Sequence, residues 1–495
     1  MTITFFISLF FLRVLCKQAQ DNYRTPHTSV QPFPPYNAEI ASIYRYRQQQ
    51  SVNLGSWFVS EQWMVPSIFQ CAAAPQNSEI DIATGGCDPQ GILERHWDTF
   101  ITRQDFFNLS SLGINTVRLP IGYWSLGPAF LQNTPFNDVA SVYKNAWPQV
   151  VRAINMAAEA GIGVLVDVHG AVGSQNGQPH SGISDGKTNL FSQNSCCVSN
   201  VVGVQLLNEP ENCEELTDFC NACTVPDFPL YMHDGFDFDR FITYISAQSP
   251  DFIVQDHHSY FVYTPKDNAE PARNHTDDVQ TTVAAQLASS NVSLPHNLII
   301  GEWSCALTPD SLKDEMDPQQ ARRAFCMAQE DVYSQTTPGN SFWSYKKEDC
   351  DPDWCFLNAV GNSLPSEFFP YGSPVSPAQK ILISSHKPQS LISPSISGLS
   401  RYHHRSQTIA QHRSSNMSSE TRSYQEGYKE GSVTAQKFAA HGDKLGFMGQ
   451  YMLTGVEGRS MSLNGEVEGD PYRQGFMQGL RDMEREISIL LRLNI

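Results

Sequence analysis

The sequence predicts an α/β fold in which eight parallel strands close into a (β/α)8 barrel. Short apolar, β-branched segments recur along residues 52–345, and several alternate with amphipathic helical patterns. This alternation is the order expected of a parallel sheet covered by helices. The segments are almost continuously hydrophobic, as strands buried on both faces are. Polar side chains follow several segments at the carboxyl end, where barrel proteins carry their functional groups.

Eight segments are the predicted strands: residues 52–58, 114–120, 162–169, 201–210, 229–234, 252–258, 298–302 and 341–345. Helices are predicted at residues 97–112, 143–160, 276–290 and 318–335. No full helical pattern follows the third or the fourth strand, although parallel strands need a crossover of about a dozen residues or more. The chain can cross in coil there, and the barrel would then lack its outer helices after strands 3 and 4.

Composition limits the classes of partner. The 495 residues can bury one large core or two domains. Hydrophobic residues make up 40% and aromatic residues 11%, as in a globular enzyme. With 33 basic and 51 acidic residues the net charge is −18, which argues against nucleic acid and anionic membranes as partners. Neutral polymers such as polysaccharides remain possible.

The first residues predict export. Residues 1–19 have a short apolar core followed by polar residues, as in a signal peptide, and the core is shorter than the ~20 residues of a membrane span. A buried N-terminal helix is the alternative, because no basic residue precedes the core and Arg13 lies near its end. Residues 20–50 are a polar leader. We expect a secreted protein, extracellular or in the cell wall, and four sequons fit this: Asn108, Asn274, Asn291 and Asn416.

Twelve cysteines suit an oxidising compartment, but their pairing cannot be read from the sequence. Cys71/Cys87 and Cys350/Cys355 are close enough along the chain to be candidate pairs. Three more cysteines lack a fourth ligand at zinc-like spacing, so no metal site is predicted; they are Cys213, Cys220 and Cys223.

The last 126 positions have a different composition. Residues 370–419 are rich in Ser, Pro, His and basic residues, and they predict a disordered linker, with an arm that binds acidic wall polymer as the alternative. Residues 420–495 predict a helical tail of unknown role. In it small residues recur at every fourth position, which permits close helix contact; they are Gly427, Gly431, Ala435, Ala439, Gly442 and Gly446.

The glycine-patterned tail contains a repeat, since residues 424–431 recur in form at 472–479. Isolated glycines cost about 1 kcal/mol each in a helix, so this helix needs a partner. Over a short stretch the tail resembles the adaptor proteins with glycine at every fourth residue that serve cytosolic iron–sulfur assembly. That resemblance implies a cytosolic setting, in conflict with export.

Two glutamates lie at predicted strand ends. Glu209 follows an apolar run that begins at Val201, and Glu302 follows a second run that begins at Leu298. Because carboxyl ends of barrel strands meet at one mouth, both carboxylates are expected there. Glycoside hydrolysis generally needs a pair of carboxylates that flank the scissile bond.

Seven motifs in order carry a family resemblance: residues 53–58, 117–124, 167–177, 207–210, 256–260, 301–304 and 342–344. The chain resembles the fungal exo-β-1,3-glucanases of glycoside hydrolase family 5 over roughly residues 50–370, and we place the barrel domain at 51–369. The resemblance implies release of glucose from non-reducing ends of β-glucan with retention, without metal or cofactor. We expect a monomer.

The resemblance also implies residue roles. Glu209 is the acid/base, and its pKa is expected to be raised by burial and a neighbouring negative charge. Glu302 is the nucleophile, held ionised by Arg118. Asn208 binds the sugar 2-hydroxyl. The other implied site residues orient the carboxylates or contact the sugar: His169, His258, Tyr260, Trp343 as a platform under the ring, and Glu61 at the terminal glucose.

Some positions depart from the family pattern. Ser56 replaces a glycine, Tyr345 replaces a tryptophan, and residues 178–180 replace an aromatic and polar clamp on the outer sugar. Together with the two missing crossover helices, these departures leave an alternative open: an inactive or weakly active glucan-binding wall protein on a degraded barrel.

Overall fold

The computed structural model describes residues 32–188, 201–210, 228–247, 251–293, 297–386, 419–455 and 470–493. The chain forms two compact units, one of Met1–Gly372 with Gly446–Met461 and one of Ser373–Leu445 with Ser462–Ile495. The sequence-derived boundaries of barrel, linker and tail stay predictions. In the described ranges, no helix combines the length and apolar character needed to cross a membrane.

The first unit is a closed barrel of eight parallel strands, paired in chain order, with the first strand also pairing with the eighth. The predicted (β/α)8 barrel is therefore confirmed. Where exposure is described, almost all strand residues are buried, as expected for strands covered on both faces. The strands are β1 Gln49–Asn53, β2 Thr116–Gly122, β3 Gly163–Gly170, β4 Val201–Gln205, β5 Leu230–His233, β6 Ile253–Ser259, β7 Leu298–Trp303 and β8 Gly339–Phe342.

Helices cover much of this barrel. Those predicted at 143–160, 276–290 and 318–335 are confirmed, the second with a π-helical turn at Val279–Val283. The helices are α1 Ala38–Tyr46, α2 Glu79–Ala83, α3 Pro89–Thr99, α4 Arg103–Ser111, α5 Ala146–Glu159, α6 Phe238–Ala247, α7 Pro265–Ala269, α8 Ala272–Asp278, α9 Ala284–Ser293, α10 Pro309–Leu312, α11 Pro318–Thr336 and α12 Phe356–Ala359.

Three local predictions were wrong. β1 begins at Gln49 rather than Val52, so the predicted leader contains α1 and the start of the barrel. The single helix predicted at 97–112 is two helices, α3 and α4. Thr102 separates them because it makes a capping box with Asp105 and so starts a new helix. β8 ends at Phe342, three residues before the predicted end.

The loop after β3 is described as far as residue 188, and in that part it contains only a short 3-10 helix, Pro179–Ser181. Residues 189–200 and 211–227 lie outside the described residues. The prediction that two crossover helices are missing therefore stays a prediction. The cysteines at 213, 220 and 223 fall in the same undescribed range.

Disulfides join Cys71 to Cys87 and Cys350 to Cys355, as the sequence suggested. A third, which the sequence did not indicate, joins Cys305 to Cys326. It ties the loop that follows β7 to α11. All three lie within the first unit.

A late segment of the chain also belongs to the first unit. The backbone N–H groups of Gly446 and Phe447 donate to the carbonyl of Tyr46, and the Phe447 ring packs 5.3 Å from Phe252. A Cβ on Gly446 would lie 2.6 Å from the Cα of Gln48. The segment includes α13, Met448–Gln450, followed by a π-helical turn. Gly442 and Gly446 both lie beyond the helix that ends at Ala439, so neither is part of a helical glycine stripe, contrary to the sequence prediction.

The second unit contains α14 Pro377–Ser385, α15 Ser419–Ala439 and α16 Pro471–Leu493. A Cβ on Gly427 or Gly431 of α15 would clash with backbone of α16, and Gly475 and Gly479 meet backbone of α15 in the same way. The helix therefore has the close helix partner that its glycines were expected to need, and that partner also contributes glycines to the contact. Positions in α15 and α16 increase together along the contact, so the two repeats pair in parallel.

Candidate active site

Arg118 contacts several polar side chains at the barrel mouth. It lies on β2, is fully buried, and donates to Glu302 Oε1 at 2.7 Å and to Asn208 Oδ1 at 2.8 Å. It also meets Asp167 Oδ2 at 3.1 Å. Burial lowers the pKa of Arg118, but the carboxylates around it raise the pKa by more than burial lowers it. The guanidinium therefore stays charged. One cation thus fixes groups from β3, β7 and the end of β4.

Glu302 on β7 is held by three side chains. Besides Arg118, the Tyr260 hydroxyl donates to Oε2 at 2.8 Å, and His258 Nδ1 lies 3.4 Å from the same oxygen. Gly301 precedes Glu302 because any side chain at that position would clash with Asp256. Burial raises the pKa of Glu302, while His258 and Arg118 lower it, and the net pKa lies above its ordinary value. The hydrogen bonds from Arg118 and Tyr260 favour the ionised form.

Glu209 follows β4 with a left-handed backbone, φ 42°. Its Oε1 lies 2.8 Å from His258 Nδ1. Because that same nitrogen is 3.4 Å from Glu302 Oε2, these two carboxylate oxygens are at most about 6 Å apart. Retaining glycosidases place their carboxyl groups ~5–5.5 Å apart and inverting enzymes ~6.5–9.5 Å apart. The upper bound on this oxygen pair lies below the inverting range.

The expected raised pKa of Glu209 is wrong for this structure. Burial raises the pKa of Glu209, but hydrogen bonding and charge from His258, then His180 and His233, bring it below its ordinary value. Burial lowers the pKa of His258, whereas Glu302, Asp256 and Glu209 raise it to about 10. The shared proton of this cluster therefore lies on His258 before substrate arrives.

His169 and Trp343 form one wall of the site. Nδ1 of His169 bonds Asp167 Oδ2 at 2.7 Å, and its ring stacks on Trp343 at 5.6 Å with planes 12° apart. Nε2 of His169 lies 3.5 Å from the side-chain amide of Asn208. A Cβ on Gly55 would sit 2.9 Å from the Trp343 ring, so the chain needs glycine there.

Glu61 lies beside this wall and is 7% exposed. Its Oε2 accepts the indole N–H of Trp63 at 2.8 Å, while Oε1 has no hydrogen-bond partner among the described residues. Burial raises the pKa of Glu61 to about 7, against lowering by His169 and the Trp63 bond. A buried oxygen without a partner is a ready acceptor or donor for a sugar hydroxyl.

Comparison with known proteins places the chain in a family. Residues 86–222 match the cellulase model, glycosyl hydrolase family 5. Glucan 1,3-beta-glucosidase 3 of Schizosaccharomyces pombe is 32% identical over 352 residues, 65% of this chain and 74% of that protein. The chain belongs to glycosyl hydrolase family 5. A glucan 1,3-beta-glucosidase of Kluyveromyces lactis is 31% identical over 54% of this chain and 68% of its own length.

Among solved structures, the rutinosidase of Aspergillus niger aligns with a TM-score of 0.50 at 15% identity. It covers 65% of this chain and 99% of that one. At this identity the match shows the barrel fold alone. The roles of individual residues in the family 5 enzyme are therefore argued from the geometry of its own site.

The structure brings all nine predicted site residues of the family 5 enzyme to the barrel mouth, and it adds two histidines. His180, in the loop after β3, has Nε2 3.8 Å from Glu209 Oε2. Asn176 bonds that nitrogen at 2.7 Å. His233 ends β5, with its ring 4.2 Å from the ring of His258. A search for polar residues at strand ends would have found His233; His180 lies on a loop and gave no such signal.

Glu209, His233 and His258 offer ligand atoms within 4.8 Å of one another, a donor set of the kind that holds zinc. The hydrogen bonds argue against that use. Nδ1 of His233 accepts the backbone N–H of Gly235, so the neutral ring carries its proton on Nε2 and offers no lone pair there. The geometry fits a proton shared between Glu209 and His258, with His233 as a neutral neighbour, better than a metal centre.

Proposed function

We propose that this family 5 hydrolase is a secreted, monomeric, exo-acting glucan 1,3-β-glucosidase that releases glucose from β-glucan with retention of configuration. The observation that carries the proposal is the carboxylate pair. Glu209 and Glu302 share His258 at 2.8 Å and 3.4 Å, so one oxygen of each lies at most about 6 Å from the other, below the ~6.5–9.5 Å of inverting enzymes. The names of the relatives from S. pombe and K. lactis support the 1,3 linkage.

The reaction would run in two steps. Glu302 attacks the anomeric carbon while Glu209 protonates the departing oxygen, giving a covalent glucosyl-enzyme. Glu209 then takes a proton from water, and the water oxygen displaces Glu302. For the first step the proton on His258 Nδ1 has to pass to Glu209 Oε1 along their hydrogen bond, whose heavy atoms are 2.8 Å apart. His258 and Glu209 thus titrate as a pair.

The surrounding residues have matching roles. Arg118 and Tyr260 hold Glu302 by hydrogen bonds to different oxygens. Asn208, held by a hydrogen bond from Arg118, binds the sugar 2-hydroxyl, and Glu61 binds a hydroxyl of the terminal glucose. An intact ion-pair network around Arg118 argues against a degraded site, so the catalytic reading is preferred to the glucan-binding one.

The test is hydrolysis of laminarin by the purified protein, with anomeric protons followed by NMR. β-Glucose should appear first and equilibrate later to the α form. Glu209→Gln and Glu302→Gln should each lower kcat by at least ~10²-fold. Glu330→Gln, a buried glutamate on α11, is the control. Initial α-glucose, or no glucose from the unmodified enzyme, would refute the proposal.

Export and monomeric state need separate measurements. Two sequon asparagines, Asn108 and Asn274, are exposed and open to glycan attachment. Protein recovered from culture medium should lose mass on treatment with an N-glycosidase, and it should elute as a monomer. Recovery only from the cytosol would contradict export.

A further inference from the structure

His233 is a buried side chain of the mouth that the mechanism above does not use. It is the last residue of β5, and Tyr231, two positions earlier, reaches into the barrel to bond Gln49 of β1 at 2.9 Å. Side chains two apart on a strand share a face. His233 therefore points into the barrel one layer nearer the mouth, and it is 0% exposed.

The hydrogen bond on Nδ1 fixes the tautomer of this ring. A backbone N–H can only donate, and Gly235 N lies 2.9 Å from His233 Nδ1. Nε2 of the neutral ring therefore carries the proton. Burial and, to a smaller extent, the neighbouring His258 lower the pKa of His233 to about 4. The ring is neutral at ordinary pH, with a fixed Nε2–H donor.

This donor has no hydrogen-bond partner among the described residues. An unsatisfied buried donor is destabilising, so native proteins rarely keep one unless a ligand supplies the acceptor. A ring nitrogen of His233 lies within 4.8 Å of a carboxylate oxygen of Glu209. The unpaired donor thus lies next to the acid/base.

The position of His233 selects one side of the scissile bond. His233 forms a group with Glu209 and His258 in which the ligand atoms lie within 4.8 Å of one another, and Glu302 is not part of that group. Glu209 has to face the glycosidic oxygen, and the leaving sugar begins at that oxygen. Trp343, Glu61 and His169 are the residues assigned to the attacked glucose.

We propose that His233 is a substrate-binding residue for the leaving group: its Nε2–H donates to a hydroxyl oxygen of the sugar that follows the scissile bond. This inference rests on the proposed function and adds to it a residue that recognises a sugar rather than any other leaving group. Both bond partners are neutral, so the contact should be worth about tenfold in rate constant.

The test compares kcat/KM of three substrates in the full-length chain. Laminaribiose has glucose as its leaving group. Benzyl β-glucoside releases benzyl alcohol, which has similar basicity but no further hydroxyls. 4-Nitrophenyl β-glucoside needs little acid assistance. His233→Phe keeps a ring and removes the donor, and His233→Gln restores an N–H. We expect His233→Phe to lose about tenfold on laminaribiose and less than threefold on the other two, with His233→Gln in between.

Two results would overturn the role of His233. An equal loss on laminaribiose and benzyl β-glucoside would show that the ring acts through Glu209, and an unchanged laminaribiose rate would show that it makes no contact. Thermal melting of both variants checks folding. Failure of the unmodified enzyme to cleave laminaribiose would instead refute the proposed function, and if it cleaves another glucobiose, that disaccharide replaces laminaribiose in the comparison.

Discussion

At the scale of single residues, His258 determines how the site is charged. It lies between Glu209 and Glu302, with Asp256 Oδ2 3.7 Å from its other nitrogen. One cation between carboxylates removes the repulsion that would otherwise raise the pKa of Glu209. Glu209, the proposed acid catalyst, is therefore ionised at first and would receive its proton from His258.

The two glutamates should be distinguishable by chemical rescue. Glu209→Ala should still form the glucosyl-enzyme from 2,4-dinitrophenyl β-glucoside, because that leaving group needs no acid. Azide should then speed turnover and give β-glucosyl azide. Glu302→Ala with azide should give the α-azide, since the anion replaces the nucleophile directly. NMR of the glucosyl azides distinguishes the two roles. An α-azide from Glu209→Ala and a β-azide from Glu302→Ala would mean that the roles are exchanged.

Glu61 should leave a signature in the pH dependence of stability. Its folded-state pKa of about 7 lies above the ordinary 4.5, so the folded enzyme binds the extra proton. The stabilisation is complete below pH 4.5 and is lost as pH rises through about 7. Glu61→Gln should flatten this decline by about 3 kcal/mol at most, measured by urea unfolding at pH 4 and 8.

Glu330 is the matched control for Glu61, because burial also raises its pKa to about 7. Glu330→Gln should flatten the same stability curve without changing KM for laminarin. Glu61→Gln should change both. A KM that does not respond to Glu61→Gln would remove Glu61 from the sugar site.

Sequence motifs predicted the residues of the site better than their charge states. Arg118, Asn208 and Glu302 could be predicted because each lies in a motif that carries the family resemblance. The low pKa of Glu209 could not, because it depends on His180, His233 and His258. These come from a loop and two strands, and only the closed barrel brings them together.

At the scale of elements, β7 shows how a backbone requirement supports the chemistry. Gly301 lies in the strand immediately before Glu302, with the Asp256 carboxylate where a side chain would be. Gly301→Ala should push β7 from β6 and move Glu302 by a few tenths of an ångström or more. We expect kcat/KM to fall by ~10²-fold. Gly86→Ala is the control, because nothing lies within 4 Å of its added Cβ. Equal activity of the two variants would show that β7 tolerates the side chain.

Element types were more predictable than element ends. Hydrophobic periodicity identified the strands and the helix α11, whereas β1 was placed three residues late. The polar residues Gln49, Gln50 and Ser51 hid its start. The two glutamine side chains have partners where they are buried, since Gln49 bonds Tyr231 inside the barrel and Gln50 Nε2 bonds Ser334 Oγ. Such long-range partners cannot be read from a local pattern.

At the scale of the whole molecule, the chain returns to the barrel after leaving it. The glycine spacing of residues 427–446 looks continuous in the sequence, yet α15 ends at Ala439 and Gly446 contacts Gln48 of the first unit. The periodicity could not show this, because it records only the spacing of small residues and not what they face. Asn297 next to β7 also bonds Gln450, at 2.9 Å. The late segment is therefore part of the enzyme unit.

Two substitutions should separate the compact units. Phe447 is fully buried in the first unit, and Phe447→Ala should cost ~3–5 kcal/mol and lower the temperature at which laminarin hydrolysis is lost. Gly431→Val should force α15 from the backbone of α16 and reduce helical content by circular dichroism, leaving the heat-inactivation temperature unchanged. Val433→Ala, exposed on α15, is the control. If Gly431→Val inactivated the enzyme at a lower temperature, or Phe447→Ala did not, the division into separately stabilised units would be wrong.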